Sequence, residues 1–378
     1  MRAIVTGQIG IDKKPYLQAV ADLGGQRGKT LPLFNVGNMM YEEGPDIRPG
    51  RILDLPLSRL ASLRRAAFKD IIAQTAPIGD HPDIMVNTHA TFRWRHGLFS
   101  AFDFDQMNTL APNMFICLLD NVEVVHHRLH EEHDIDATLK DCMVWREEEI
   151  IVTELLAHAM GCHNDFYILS RGRHQDTVET ALRLVTRPEM RKVYPSFPMS
   201  HVMDMPEVLA EIESFREELA KHFITFDPAD VDEKLLLDNG IAAAKEGRDW
   251  IEVEPHAFGG GRQSEEMIRV NVREILDIAG DVDGQIYMRD FKLIDQSDMI
   301  VSLVPELAGG IPGLSSGVER ELHHAFEHTK EVYVVWKPKK NPSPFITETA
   351  TKIFTSVEEA LAYFENEGMF APGDLFGH

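Results

Sequence analysis

Short apolar runs alternate with longer helix-patterned stretches along nearly the whole chain, and this alternation constrains the fold more than any other feature. A short apolar run bounded by turn residues reads as a strand buried on both faces, and helices between such strands build parallel sheets. In the first half, strands are expected at Arg2–Thr6, Leu33–Val36, Asp83–Asn87, Met114–Asp120 and Phe166–Ser170. Helices are expected at Leu57–Ala76, Glu147–Ala159 and Val178–Val185. The pattern then restarts with a strand at Val193–Phe197, a helix at Pro206–Lys221 and a strand at His222–Phe226. Strand Met299–Val304, helix Val318–His328, strand Glu331–Trp336, a short strand centred on Ile353 and helix Ser356–Glu365 complete it.

Proline and charge interrupt the helical pattern at Thr186-Arg187-Pro188. The chain has 378 residues, and at about 150 residues per domain that length suits two. The expectation is therefore α/β, with two doubly wound parallel-sheet domains over residues 1–188 and 189–378. The stretch Asn239–Gln285, with Gly259-Gly260-Gly261-Arg262, is the least regular and reads as a lid or partner-contacting excursion.

Charge narrows the partners. With 38 Lys+Arg against 61 Asp+Glu, the net charge of −23 repels polyanions, so nucleic-acid polymers are not expected. A mononucleotide is not excluded, because local cations and helix N-termini hold phosphates. The three cysteines, Cys117, Cys142 and Cys162, lack paired spacing and point to a reducing compartment. No apolar stretch approaches the roughly 18 residues of a membrane span, and no signal-peptide core is visible, so a cytoplasmic protein is expected.

Gly7-Gln8-Ile9-Gly10-Ile11-Asp12-Lys13-Lys14 lies between a strand and a helix, where a Walker A loop would sit. Gly7, Gly10 and Lys13 fit that loop, whereas Asp12 stands at its second glycine and Lys14 at its Ser/Thr. Together with Ile84-Met85-Val86-Asn87-Thr88-His89-Ala90, Leu118-Leu119-Asp120 and the Arg-containing helix Arg146–Leu156, the loop resembles the P-loop nucleoside monophosphate kinases, especially the archaeal adenylate kinase type. The resemblance covers residues 1–185. It implies a phosphate site at Gly7, Gly10 and Lys13, with ATP and Mg²⁺ as ligands in doubt, since Asn87 replaces the usual metal-shell Asp. Arg93, Arg95, Arg171 and Arg173 are candidates to clamp a phosphate, or are solvated surface arginines.

Three segments of the second half concentrate polar groups at strand ends and a helix start. They are Val193–His201, Tyr287–Asp298, and Pro312–Ala325 with its Ser315-Ser316-Gly317 turn. Open parallel sheets bind ligands at the carboxyl ends of their strands. Glu321 lies about one turn inside the helix, where the positive helix end is expected to keep it ionised. Taken singly, Glu321 reads as a solvated helix carboxylate and Asp298 as a cap ahead of its strand.

In order, Tyr194, Asp290 eight residues before Asp298, Ser315-x-Gly317-Val318-x-x-Glu321, Ala325, and Lys330 with Val332 resemble the nucleoside 2-deoxyribosyltransferase superfamily, which includes the 2′-deoxynucleoside 5′-monophosphate N-hydrolases. The resemblance covers residues 190–365. It implies that Glu321 attacks C1′ of the sugar, Asp290 assists departure of the base, and Tyr194 orients Glu321. Ser315 with the Gly317 and Val318 amides would hold a 5′-phosphate, and Ser196 and Asp298 are further substrate-binding candidates. Such chemistry parallels retaining glycosidases and needs no metal. His323 and His324 depart from the pattern after the nucleophile, and Glu306–Leu314 lengthens the loop before it.

His126, His130 and His133 share a helix face and read either as a metal set or as a solvated charged helix. Trp336–Lys340 reads as an exposed turn, and Phe215 and Leu219 as core. The functional expectation is N-glycosidic cleavage of a nucleoside 5′-monophosphate beside a kinase-like domain without turnover. The alternatives are a nucleoside monophosphate kinase or a non-catalytic nucleotide sensor. The resemblance also implies a homo-oligomer, since such folds complete their sites across subunits.

Overall fold

The computed structural model describes residues 1–48, 50–75, 83–94, 97–171, 176–199, 202–231, 233–253 and 267–370. Arg95, Arg173, His201 and the Gly259–Arg262 stretch lie outside them. The chain divides into two compact units: Met1–Thr186 with Asp230–Asp283, and Arg187–Ala229 with Gly284 onward.

The first unit opens with β1 (Arg2–Thr6), α1 (Lys13–Gln26), β2 (Leu33–Asn35), α2 (Val36–Glu43), α3 (Leu57–Thr75) and β3 (Ile84–Asn87). A hairpin of β4 (Thr91–Trp94) and β5 (Gly97–Ser100) follows, then α4 (Phe104–Leu110) and β6 (Met114–Leu119). The remaining elements before the boundary are α5 (Val122–Glu131), α6 (Leu139–Ala159), β7 (Phe166–Ser170) and α7 (Asp176–Thr186). The sheet is parallel, in the order β2-β3-β1-β6-β7. Every residue of β6 is buried, as a central strand covered on both faces requires. One core cluster sets Ile4, Val86 and Phe115 against Leu60, Phe68 and Ile71 of α3. Because β1 lies between β3 and β6, the loop leaving its carboxyl end opens where the winding reverses. Helix α6 begins about two turns before the expected Glu147, because Thr138 and Asp141 form a capping box ahead of Leu139.

In the second unit β8 (Lys192–Ser196), α8 (Pro206–His222) and β9 (Ile224–Thr225) come first. His222 closes α8 instead of opening the strand. The chain then enters the first unit as α9 (Glu233–Lys245), the antiparallel pair β10 (Trp250–Val253) and β11 (Ile268–Asn271), α10 (Val272–Asp277) and the start of α11 (Ala279–Asp295). Two expectations are corrected here. The stretch read as irregular carries helices and a strand pair, and residues 230–283 group with the first unit and not with the rest of 189–378. The physical reason lies in polar links to the first unit. Arg146 and Glu233 form an ion pair with both side chains buried, the Leu139 N–H donates to Glu274 at 3.0 Å, and Lys140 pairs with Asp281.

The second unit resumes at β12 (Met299–Val304), a short pair β13 (Glu306–Leu307) and β14 (Ile311–Pro312), and α12 (Ser316–Glu327). It ends with β15 (Glu331–Trp336), α13 (Pro344–Thr347), β16 (Lys352–Phe354) and α14 (Val357–Asn366). Its parallel sheet runs β16-β15-β12-β8-β9, so the winding reverses between β8 and β12. Val193, Val301, Tyr333 and Phe364 meet Phe215 and Leu219 in its core, as expected for those two α8 residues. Trp336 is buried and donates its ring N–H to the Lys340 carbonyl, closing a turn. The three cysteines are free and buried, and among the described residues no helix is long and apolar enough to cross a membrane.

Candidate functional sites

The loop between β1 and α1 keeps the backbone of a phosphate loop despite its altered residues. Gly7 has φ 146°, and a Cβ there would stand 2.9 Å from the Leu118 carbonyl oxygen, so only glycine fits against β6. Gly10 has φ 83°. Asp12, at the position of a Walker glycine, adopts the left-handed conformation with φ 60° and ψ 50°. Asp and Asn are the side chains that tolerate this region best, which is how the loop survives without its glycine.

Lys13 is buried and donates from Nζ to the Gly7 carbonyl at 2.6 Å, with the His89 ring nitrogens at 3.2 and 3.3 Å. Burial lowers its pKa to about 8, against the opposing pull of Glu149. His89 is pushed well below its ordinary range, first by burial and then by the Lys13 charge, so its ring is neutral at pH 7. Glu149 anchors this corner. Its carboxylate accepts from the Gly7 N–H at 3.3 Å, the Ala90 N–H at 2.7 Å, the Thr91 N–H at 3.0 Å and the Thr91 hydroxyl at 2.6 Å.

From the other side, Arg128 donates to the carbonyls of Gly10 and Ile11 at 3.2 and 3.3 Å, and Arg171 to that of Ile11 at 2.6 Å. A trans peptide sets C=O and N–H in opposite directions, so these bonds aim the Asp12 N–H away from both guanidiniums. Arg171 thus grips the loop and is buried, which corrects its reading as a solvated surface arginine. Arg93 lies over the Trp145 ring at 4.7 Å and pairs with Glu148.

These groups surround a cavity of about 680 Å³ lined by Gly10, Lys13, Lys14, Arg93, Phe92 and Trp145 among others. That size, with aromatic walls and a few polar groups, suits a small-molecule ligand. The groups at the motif's metal-binding positions are altered or engaged. Lys14 offers no acceptor, and the Asn87 amide donates to Asn35 at 2.8 Å. Both Asp120 oxygens are engaged, by the Asn121 N–H at 2.9 Å and by Arg128 at 2.8 Å.

In the second unit the structure gathers four of the expected residues. The Ser196 hydroxyl, at the carboxyl end of β8, donates to Glu321 of α12 at 2.6 Å. Tyr194 and Asp290 are near enough to shift the Glu321 titration. Burial raises that carboxyl to about 7, the Asp290 charge adds to the rise, and the hydrogen bond from Ser196 opposes it. Glu321 is therefore only partly ionised near pH 7, short of what the sequence suggests: α12 begins at Ser316, Glu321 lies beyond its first turn, and burial outweighs the helix end. Tyr194 is buried and raised well above its ordinary value, by desolvation first and then by the Glu321 and Asp290 charges.

Two other expectations fare differently. The Ser315 hydroxyl accepts from the Val318 N–H at 3.2 Å as the cap of α12, so two groups expected on a 5′-phosphate are bonded to each other. Gly317 lies in the same first turn. Asp298 is removed from the cluster: it accepts from the Lys192 N–H at 2.7 Å, at the amino ends of β8 and β12. Ser196 is four residues along β8 from Lys192, which places Asp298 about 13 Å away along the sheet. Its single-residue reading, a cap before a strand, is the one the geometry matches.

Of the helix histidines, His126 lies 3.4 Å from Glu274, His130 bonds the Ala137 carbonyl at 2.9 Å, and His133 lines the first unit's cavity. Among the described residues they form no ligand cluster.

No family model matches the chain. Its N-terminal half is similar to the adenylate kinase of Pyrococcus furiosus, at 29% identity over 183 residues, covering 46% of this chain and 86% of the relative. The adenylate kinase of Pyrococcus abyssi aligns over the same length at 26% identity, again covering 46% and 86%. A crystal structure of shikimate kinase from Bacteroides thetaiotaomicron is matched at a TM-score of 0.32 and 12% identity, over 50% of this chain and 98% of that one. Nothing in these comparisons shows the second unit to be a deoxyribosyltransferase.

Sequence reasoning missed Glu149, His89 and Trp145. A signal existed for Glu149. The buried residues of α6 include Leu139, Cys142, Met143, Arg146, Glu149, Ile150 and Thr153, so two charged residues occupy an apolar stripe. A charge on such a stripe needs a buried partner. The N-terminal half of the chain resembles a P-loop nucleotide kinase.

Proposed function

We propose that the first unit binds a nucleotide in the manner of a P-loop kinase, with a phosphate at the Gly7–Lys13 loop and the base in the cavity beside Phe92 and Trp145. The observation that carries this reading is Lys13, buried at the cavity and held by the loop's own first carbonyl. An incoming phosphate exchanges that neutral acceptor for an anionic one, a stronger bond in a partly desolvated site. The name of the Pyrococcus relatives supplies the ligand class, an adenine nucleotide. Because Lys14 stands where the motif's metal-binding hydroxyl would be, the reading is of binding without phosphoryl transfer.

Calorimetry with AMP, ADP and ATP tests this. Saturable binding is expected, weakened about 10- to 100-fold by Lys13→Ala. Absence of binding, or equal binding by the variant, overturns the reading. ATP-dependent phosphorylation of AMP would overturn the assignment of binding alone.

A second reading is favoured by the gathering of Tyr194, Ser196, Asp290 and Glu321 where the second sheet reverses its winding. We propose cleavage of the N-glycosidic bond of a nucleoside monophosphate there. Glu321 and Asp290 share one proton: when it sits on Asp290 the ionised Glu321 attacks C1′, the C1′–N bond breaks, and the base leaves with that proton. Water then releases the sugar phosphate from Glu321. Chromatography of free base after incubation with ribo- and deoxyribonucleoside monophosphates is the test. Release abolished by Glu321→Gln supports it, while no release, or release indifferent to the variant, removes it.

A further inference from the structure

Helices α11 and α12 meet at a second group of side chains, just beyond the carboxylate cluster. Asp295 closes α11, His324 lies in the last turn of α12, and His328, four residues on, is its C-cap. Each offers one ligand atom, and the three atoms lie within 4.8 Å of one another. We propose that Asp295, His324 and His328 form a binding site for a divalent transition-metal ion of the zinc class, which ties α11 to α12.

Three independent features support it. Spacing comes first: histidines four residues apart on a helix point to the same side, and the carboxylate arrives from a neighbouring helix, giving two nitrogens and one oxygen. Such a mixed set suits zinc and its late first-row neighbours, not magnesium or calcium.

Ring orientation comes second. His328 Nδ1 lies 2.9 Å from the His324 carbonyl oxygen. A carbonyl only accepts, so Nδ1 carries the proton and Nε2 presents its lone pair. A backbone carbonyl on the far nitrogen is a recurrent support of metal-bound imidazole. His324 Nε2 stands 2.8 Å from an Asp295 carboxylate oxygen, a direct hydrogen bond; an ion with bonds of about 2.0 Å would take the place of its proton and spread the two atoms to about 3.3 Å.

Rigidity is the third. The Phe291 ring stacks on His324 with centroids 4.1 Å apart and planes 4° from parallel. Lys330 donates to the Asp295 carbonyl at 2.7 Å, which holds the end of α11. His324 is mostly buried, while Asp295 and His328 reach solvent, so an ion can enter without unfolding the helices.

The position gives the site a consequence. Glu321, His324 and the cap residue His328 fall at i, i+3 and i+7, along one stripe of α12 and its C-terminal end. Asp290 and Asp295 both lie on α11. An ion bridging the outer pair of groups fixes the spacing of the helices that carry Asp290 and Glu321. The metal itself does not belong to the glycosidic reading, and the inference stands whether or not that reading does.

The test uses the full chain, stripped with chelator and titrated with Zn²⁺ by calorimetry at pH 7.5, with Co²⁺ absorption as a second probe. One equivalent is expected at this site, with a visible Co²⁺ spectrum of tetrahedral type. His328→Ala, a change at an exposed position, is expected to weaken that equivalent at least 10-fold, and Asp295→Asn to weaken it less. Affinity should fall below about pH 6, as the imidazoles protonate. A Zn²⁺ isotherm unchanged in both His328→Ala and His324→Ala, or no saturable uptake by the unmodified chain, overturns the proposal. Circular dichroism of each variant separates loss of a ligand from loss of the fold.

Discussion

A lysine whose pKa is lowered to about 8 makes phosphate binding depend on pH in a definite direction. Near pH 7 Lys13 is mostly charged. Above 8 it becomes neutral, and binding a phosphate must then draw a proton back onto it. Nucleotide affinity is therefore expected to fall up to tenfold per pH unit above 8, with about half a proton taken up per ligand at pH 8. Calorimetry in buffers of different ionisation enthalpy measures that uptake, and a pH-independent affinity between 7 and 9.5 would contradict the assignment. Glu321 works the other way on stability. Its folded pKa, about 7, exceeds the ordinary value of 4.5. The group's contribution is fully present below pH 4.5 and is lost as pH rises through 7. Glu321→Gln is thus expected to stabilise the second unit relative to the unmodified protein at pH 8, by on the order of 1–3 kcal/mol, and to lose that advantage at pH 5. Denaturant titrations at the two pH values check it. The residue types at both sites were legible in the sequence, but their protonation was not. Desolvation depends on what packs around a group, and a motif does not encode that.

Local elements follow the sequence where one rule dominates. The bounds of β1, β7, β12 and β15 match the apolar runs, because a strand buried on both faces has no other pattern. The hairpin of β4 and β5 has no such run and was not anticipated; Gly97 and Ser100 are exposed there. At the phosphate loop, sequence showed that two residues depart from the motif, whereas the structure shows the departures to be unequal. Asp12 keeps the backbone shape, and Lys14 changes the chemistry. Asp12→Gly is expected to leave stability within about 1 kcal/mol, because glycine adopts φ 60° freely but has more entropy to lose on folding. It also removes a negative charge from beside the bound phosphate, so nucleotide affinity should rise several-fold. An affinity that falls in Asp12→Gly would mean that the carboxylate, not the backbone, contacts the ligand.

At the scale of the molecule, the feature least visible in the sequence is that residues 230–283 return to the first unit. The contact that marks it, Arg146 with Glu233, spans 87 residues. Nothing local to either residue names the other, although both are charged residues that the fold buries. A buried pair of this kind is an asymmetric determinant of stability. Removing one partner leaves a desolvated charge and costs about 3–5 kcal/mol, whereas replacing both by apolar residues is close to neutral. Arg146→Met is therefore expected to lower the melting temperature of the first unit by many degrees, and the double change Arg146→Met with Glu233→Leu to recover most of it. Differential scanning calorimetry with and without nucleotide identifies the transition, since a ligand held at the Gly7–Lys13 loop raises only the melting of the unit that binds it. If Arg146→Met instead shifts the transition that nucleotide leaves unmoved, residues 230–283 serve the second unit, and the division of the chain into its two units is the wrong one.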